Sequence, residues 1–416
     1  MRHSRPSAGE RENPGPVNGI SAEEHRERQA RLRRAAAERG LQAVVAFSRG
    51  GGTHDRVGDV LWLAGLAAAQ PFVPDLPGCW RGAGHVAVVV EVDGPAAAIV
   101  EADELQTAPA VDRVVVSADV VGAAAETLAA ARRGRIGVLG SDVLPAAWWR
   151  ALEARLTEHG GAAQLEAADD IGLELRRRKS PAEQRLLRAA GALGSRAMTA
   201  ALDAAVPGAS EAAVAAAFFD TVVAAGGAVY DVLVSSGPAS GTLGPSGGAA
   251  GAARWTTRRL QAGELLRLDA YGSVEGYLFD FARSVVVGGA ASEAQAELLD
   301  ALRASVAAGI ERLRPGVPLS EVAAACEAVL ATSPHARRHG VPAHTMSGFW
   351  GHGLGVGWEP PWIGLDSGDV VEAGMCLAVE RRAAVPGLGG AQYEDDVLVG
   401  PGGAELLTTE DATMRA

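Results

Sequence analysis

The stretch Gly263–Ser284, G-E-L-L-R-L-D-A-Y-G-S-V-E-G-Y-L-F-D-F-A-R-S, decides how this chain is read. Two apolar runs flank a turn-rich centre, Y-G-S-V-E-G-Y, which is the pattern of a β-hairpin. With Val274 and Glu275 at the tip, Asp269 falls opposite Asp280. Directly opposed residues in an antiparallel pair hold their Cβ atoms roughly 4.5–5.5 Å apart. Two carboxylates that close repel by about 4 kcal/mol at an effective dielectric near 20. Apolar strands tolerate such a pair only if one carboxyl keeps its proton or a cation sits between them. A register that separates the two, with one Asp in solvent, is the plain alternative.

Bulk properties narrow the field. At 416 residues the chain has room for two or three domains and an ample core. Its formal charge is −12, and its one basic run is Arg176–Lys179, which argues against a nucleic-acid partner. The three cysteines, Cys79, Cys326 and Cys376, stand singly and form neither a disulfide framework nor a Cys-x-x-Cys site. No run of about 18 residues is apolar and free of charge or Gly/Pro, so no membrane span is expected. The N-terminus lacks a signal-type apolar segment. A soluble protein of a reducing cytoplasm is the expectation.

Residues 1–20 are rich in Pro, Gly, Arg and Glu and read as a disordered tail. Ser21 caps a helix ending at Gly40, with Glu24 completing a capping box. Strands are expected over Leu41–Ser48, Val60–Leu63, His85–Val92, Ala96–Glu101, Asp112–Val116 and Arg135–Leu139, with helices over Ala118–Arg133 and Pro145–His159. Mixed strands and helices make residues 21–170 an α/β domain. A new helix opens at Ser180-Pro181, with Glu183 three residues beyond the cap, so a second domain spans 171–416. It continues with a helix after Ser210, a strand over Val229–Ser235, a Gly/Ser/Ala-rich loop over Gly237–Gly251, the hairpin, helices over Ser292–Leu313 and Leu319–Leu330, and short strands up to Pro401.

Further residues of ligand type lie downstream. Gly351-His352-Gly353-Leu354-Gly355 sets one histidine among glycines, which let backbone approach something closely. Cys376–Glu380 ends an apolar run in a carboxylate, and Ala391–Asp396 (A-Q-Y-E-D-D) leads into another strand. Singly, each is ordinary: a lone His is most often a satisfied core residue, and a strand-end Glu is most often solvated. Asp395 and Asp396 read as surface acids or as supports for the ligands.

In the order Asp269, Asp280, His352, Glu380, Glu394, however, the chain resembles the family of methionine aminopeptidase, prolidase (Xaa-Pro dipeptidase), aminopeptidase P and creatinase, in its two-domain branch. Lesser marks agree: L-R-R-R-K-S-P-A-E-Q at Leu175–Gln184, R-P-G at Arg314–Gly316 and L-W-L-A-G at Leu61–Gly65. The resemblance implies an N-terminal α/β domain and an α+β "pita-bread" catalytic domain. It implies two divalent ions, with Asp269 and Asp280 on one, His352 and Glu380 on the other, and Asp280 and Glu394 bridging. Four carboxylates and an imidazole suit Mn, Co, Fe or Zn. Glu380 and His352 become the catalytic residues of a metallohydrolase that cleaves an amide C–N bond of a small substrate or short peptide through a bridging hydroxide. Two-domain relatives are commonly homodimers, so a homodimer is expected.

The chain also departs from that pattern. Peptidases of the family carry two auxiliary histidines. The segment that would hold the first is Ser236–Pro245, S-G-P-A-S-G-T-L-G-P, which has none; at the second place stands Trp358, in Trp358-Glu359-Pro360-Pro361. Arg381 follows Glu380 where the family usually has Pro. These departures motivate an alternative on the same scaffold: a non-peptidase such as an ectoine-hydrolase-like enzyme or an onium-compound lyase. Trp350, Trp358 and Trp362 gather near His352 in sequence, and Trp faces attract cations, although rings packed around a core strand would look the same. His54 and Arg81 of the first domain are weaker substrate-binding candidates.

Overall fold

The computed structural model describes residues 19–49, 58–67, 85–100, 109–128, 134–142, 144–158, 163–241, 254–340, 343–344 and 348–408. The chain divides into two compact units, Met1–Leu175 and Arg176–Ala416. The expected tail, most of the loop after Gly241, His54, Arg81 and Cys79 lie outside the described residues.

The first unit holds α1 (Ala22–Glu38), β1 (Leu41–Arg49), α2 (Gly58–Ala64), β2 (His85–Glu91), β3 (Ala96–Val100), β4 (Arg113–Val116), α3 (Val120–Thr127), β5 (Arg135–Leu139), α4 (Ala146–Glu158), β6 (Gln164–Ala167) and α5, Asp169–Arg176, at its end. The strands form one mixed sheet in the order β4-β3-β2-β1-β5-β6. Ser21 caps α1 by accepting from the Glu24 N–H, and Asp93-Gly94 turns β2 into β3. Trp148 of α4 is buried edge-on against Phe47 and His85, pinning that helix to the sheet. The segment Val60–Leu63, expected as a strand, lies instead in α2, where Val60 through Ala64 are all buried. A short run buried on every side has no period that separates helix from strand. The helix expected over Ala118–Arg133 is described as Val120–Thr127, capped by Asp119.

The second unit opens with α6 (Pro181–Asp203), whose Ser180–Glu183 capping box is present with Pro181 in the first turn. There follow α7 (Glu211–Ala224), β7 (Ala228–Ser236), a single turn over Gly237–Gly241, β8 (Leu265–Val274), β9 (Tyr277–Val286), α8 (Glu293–Arg312), α9 (Leu319–Thr332), α10 (Pro334–His339), β10 (Ala343–His344), β11 (Phe349–Leu354), β12 (Trp358–Gly364), β13 (Cys376–Val385), β14 (Gly389–Gly400) and β15 (Gly403–Leu406). Strands β7-β8-β9 make one sheet; β12-β11-β13-β14-β15 make another, with β10 beside β13. Helices α6 and α7 cover the first sheet around Phe279 and Phe281. Helices α8 and α9 cover the second.

The two sheets meet along β9 and β14. Asp280 N–H donates to Asp396 Oδ2 at 2.8 Å, and Ser284 Oγ bonds the Gln392 main chain as both donor and acceptor. Between them Arg283, buried, pairs with Asp395 at 2.6 Å and donates to the Glu394 carbonyl at 2.5 Å. Its guanidinium also stacks over Tyr393. Asp395 and Asp396 are both buried, so neither is a surface acid.

The hairpin register differs from the expectation. Val274 pairs with Tyr277, so Glu275-Gly276 forms the turn. Both residues have positive φ, 52° and 82°, which is what a two-residue hairpin turn matching the strand twist demands. Asp269 therefore pairs with Ala282, and Tyr271 with Asp280. The two aspartates are diagonal neighbours on one face, not directly opposed, and the diagonal relaxes the separation of the two residues to roughly 7–8 Å, somewhat less between Cβ atoms.

Candidate metal centre

Three cross-sheet rows, two residues apart along the strands, build the site. In the first, Asp280 of β9 is bonded through its N–H to Asp396 of β14; Asp396 pairs with Ala378 of β13, which pairs with His352 of β11. In the second, Asp269 pairs with Ala282, and beyond the seam Glu394 pairs directly with Glu380. In the third, Arg267 pairs with Ser284, which is bonded to Gln392, which pairs with Arg382. Side chains two apart on a strand share a face, so acids, imidazole and guanidinium groups all project into one space.

The ligand atoms of Asp280, His352 and Glu394 lie within 4.8 Å of one another. His352 Nδ1 is 3.1 Å from the Gly353 carbonyl oxygen, which can only accept. That contact places the ring hydrogen on Nδ1 and turns Nε2 toward Asp280 Oδ2, 3.5 Å away. Gln392 Nε2 donates toward Glu380 and Glu394, at 3.2 and 3.4 Å, tying the second row to the third. Glycine on both sides of His352 is a steric requirement. A Cβ at Gly351 would sit 2.0 Å from the Ala378 carbonyl oxygen, and one at Gly353 would sit 2.4 Å from that of Glu359.

Electrostatics make the same point. Burial first, and then the charge of Asp280, push the Asp269 carboxyl up to about 6. Burial, with Asp269 and Asp280 beside it, pushes Glu380 up to about 8, although His352 pulls the other way. Glu394 is driven well above the carboxylate range by burial and then by Asp280, Glu380 and Asp269. For His352, burial opposes the charged form, but Asp280 and then Glu380 outweigh it and the ring is raised. A cluster this acidic either holds protons or surrounds cations, and the donor set of carboxylates and one imidazole fits hard or borderline divalent ions.

A profile of the metallopeptidase family M24 matches residues 185–401, just over half of the chain. The chain belongs to metallopeptidase family M24. It is 33% identical over 240 residues to the probable dipeptidase PepE of Mycobacterium tuberculosis, covering 57% of this chain and 60% of that protein. It is 26% identical over 261 residues to the Xaa-Pro dipeptidase of Pyrococcus furiosus, covering 62% and 70%. The chain thus spans about three fifths of the length of the first curated relatives it matches. Among solved structures, the prolidase of Pyrococcus horikoshii OT3 superposes with a TM-score of 0.75 at 19% identity, over 93% of this chain and 99% of that one. Dipeptidase PepE of Mycobacterium ulcerans gives 0.73 at 26%, over 94% and 97%. The fold is therefore the pita-bread fold of prolidases and aminopeptidase P, with an α/β unit before it. M24 peptidases use divalent metal ions, and this chain has the carboxylate and imidazole groups to hold them.

Against that M24 pattern the aromatic residues divide. Trp358 and Trp362 place their rings 5.6 and 5.7 Å from the His352 ring and remain 43% and 40% exposed, so both can touch a ligand. Tyr271 stacks on Trp358 at 4.9 Å. Trp350 differs from the expectation: it is buried in the core under β11 and donates to Glu327, which also pairs with Arg381. Packing, not ligand contact, explains it. Glu359, next to Trp358, is buried between Lys179, the chain's one lysine, and Arg176, at 2.8 and 2.9 Å. Despite burial, these two cations hold its carboxyl below the usual range. The R-R-R-K run thus anchors β12.

Sequence reasoning missed Arg267, Tyr271, Arg382 and Gln392. Each stands two residues from a candidate ligand on the same strand, and that spacing is the one signal the sequence offers.

Proposed function

We propose that this chain is a metal-dependent hydrolase of an amide or peptide C–N bond in a small substrate, of Xaa-Pro dipeptidase type. The convergence of Asp269, Asp280, His352, Glu380 and Glu394 on one face of the two sheets carries the reading. Held by these five side chains, two divalent ions of Mn, Co, Fe or Zn type would supply Lewis acidity and lower the pKa of water.

The chain's own groups divide the remaining work. Glu380, beside the ions it helps to hold, takes the proton of the attacking water as general base. The same proton is what the departing nitrogen needs, so one carboxyl closes the proton balance without the auxiliary histidines. Gln392 holds Glu380 and Glu394 in place, and the Gly353 carbonyl fixes the His352 tautomer. Trp358 and Trp362 form an aromatic wall that excludes water and receives an apolar or cationic part of the substrate. A cytoplasmic homodimer is part of the proposal, and gel filtration tests its assembly.

The test is hydrolysis of an Xaa-Pro dipeptide panel after loading with manganese, with bound metal measured in the same sample. Turnover supports the reading. Metal bound without cleavage of any dipeptide overturns it in favour of a second reading, a non-peptidase acting on a small onium compound. Trp358, standing beside His352 where peptidases of the family have a histidine, favours that second reading.

A further inference from the structure

Away from the five candidate ligands, the stretch Ser333–His339, S-P-H-A-R-R-H, carries a His-x-x-x-His pair. Ser333 caps α10 by accepting from the Ala336 N–H at 3.0 Å, and Pro334 fills the first helical position. Residues four apart share a helix face, so His335 and His339 stand together, with ring centroids 5.0 Å apart. Helix α8 packs alongside and supplies Glu297. One nitrogen of each imidazole and one Glu297 oxygen all lie within 4.8 Å of one another.

Two of these three groups are left incomplete by the protein. His335 is 1% exposed, and among the described residues neither of its ring nitrogens has a hydrogen-bond partner. The ring faces the Ala294 main chain without bonding it, and such a carbonyl is the kind of acceptor that fixes the tautomer of a ligating histidine. Glu297 pairs with Arg338 through Oε1 at 3.1 Å, while its Oε2 is buried without a partner. Arg338 is engaged by Glu293 as well, so its charge is shared between two carboxylates. A buried imidazole and a buried carboxylate oxygen left unpaired are costly, and one shared partner would complete both. Two imidazoles and a carboxylate suit zinc, nickel or copper better than magnesium or calcium. Three protein ligands leave the fourth tetrahedral position to water.

We propose that Glu297, His335 and His339 form a second metal site, which takes a zinc-type divalent ion and clamps α10 onto α8. The site shares no residue with the five-ligand centre and does not rest on the hydrolase reading. It adds a coordinate tie to the Arg338 ion pairs that already join the two helices.

The test titrates the manganese-loaded full chain with zinc, desalts it and measures its metal content, in wild type, His339→Ala and Glu297→Gln. His339 is exposed and Glu297 half-buried, so both variants should fold. Wild type should retain one zinc equivalent more than either variant. Zinc affinity at that site should fall at least about 10–100-fold in the variants, the loss that follows even when a group supporting a ligand is changed. Zinc that displaces manganese at the five-ligand centre adds equally to all three proteins and cancels in the difference. Zinc should also raise the Tm of wild type more than that of the variants, because it binds the folded state. The extra equivalent should persist in Asp280→Ala. If Asp280→Ala keeps all its other metal too, the five-ligand centre fails and the second site stands. Equal zinc content and equal zinc-induced Tm shifts in wild type and both variants overturn the second site, leaving Glu297 as a partner of Arg338 alone.

Discussion

Glu380 and Glu394 stand directly opposite one another on β13 and β14, both buried, with the Gln392 amide donating toward an oxygen of each. One neutral donor cannot offset two anionic carboxylates at the closest spacing that antiparallel strands allow. The pair therefore exists either protonated or in company with cations, and several measurable properties follow from that choice.

Removing a ligand should remove the metal. Mutating groups that merely support ligands typically lowers affinity roughly 10–100-fold, so Asp280→Ala and Glu394→Ala should each cost at least that. Elemental analysis after manganese loading and desalting checks it. Wild-type metal content in Asp280→Ala would refute the assignment. Glu380→Gln should in addition lower kcat by roughly 10²–10⁴-fold, the contribution of a general base.

Metal-free protein should lose stability as pH rises. Glu380 is raised from its ordinary 4.5 to about 8 in the folded state, and Asp269 to about 6. The folded state therefore binds more protons than the unfolded chain between about pH 4 and 8, and stability falls with pH across that window. Below it the carboxyls are neutral in both states and the effect vanishes. Melting curves in chelator from pH 4.5 to 8.5 should show a falling Tm, and manganese should reverse the trend. A Tm that rises with pH in chelator contradicts the buried acid cluster.

The seam between the sheets should be sensitive to one charge and tolerant of losing two. Arg283→Met leaves Asp395 buried without its 2.6 Å partner and should cost about 3–5 kcal/mol. Adding Asp395→Leu should recover part of that loss. A double-mutant cycle by urea unfolding reads the coupling, and strictly additive costs would show the pair to be independent.

The hairpin turn offers a stabilising change. Glu275 holds a left-handed conformation, φ 52°, that a side chain of its type dislikes and asparagine accepts more readily. Glu275→Asn should raise stability by about 0.5–1 kcal/mol in denaturant titration. Gly276→Val, at φ 82°, should do the opposite.

Much of this was readable in the residues because the chemistry is local. The order of the proposed ligands, Asp269, Asp280, His352, Glu380, Glu394, is visible as text, and the Ser180–Glu183 cap announces α6 without help from the fold. Register did not survive. The expectation placed Val274 and Glu275 at the tip because apolar alternation alone does not say which two residues turn; the positive φ of Glu275 and Gly276 decides it. Val60–Leu63 failed for another reason, since complete burial erases the period. Arg267 and Arg382 were overlooked because an arginine within an apolar strand reads as a solvated exception. Only the pairing of β8 with β9 and of β13 with β14 reveals that both point to the acids.

The two glycines beside His352 bear on how this site can diverge over generations. Any side chain at 351 or 353 would collide with main-chain oxygens of neighbouring strands, which no rotamer change relieves. Inherited variation at 351 and 353 is thus closed, and a lineage exploring new substrates has to work through the exposed rings on the neighbouring strand, at Trp358 and Trp362. Directed libraries that randomise those positions while holding 351–353 fixed will sample the space that drift itself has open.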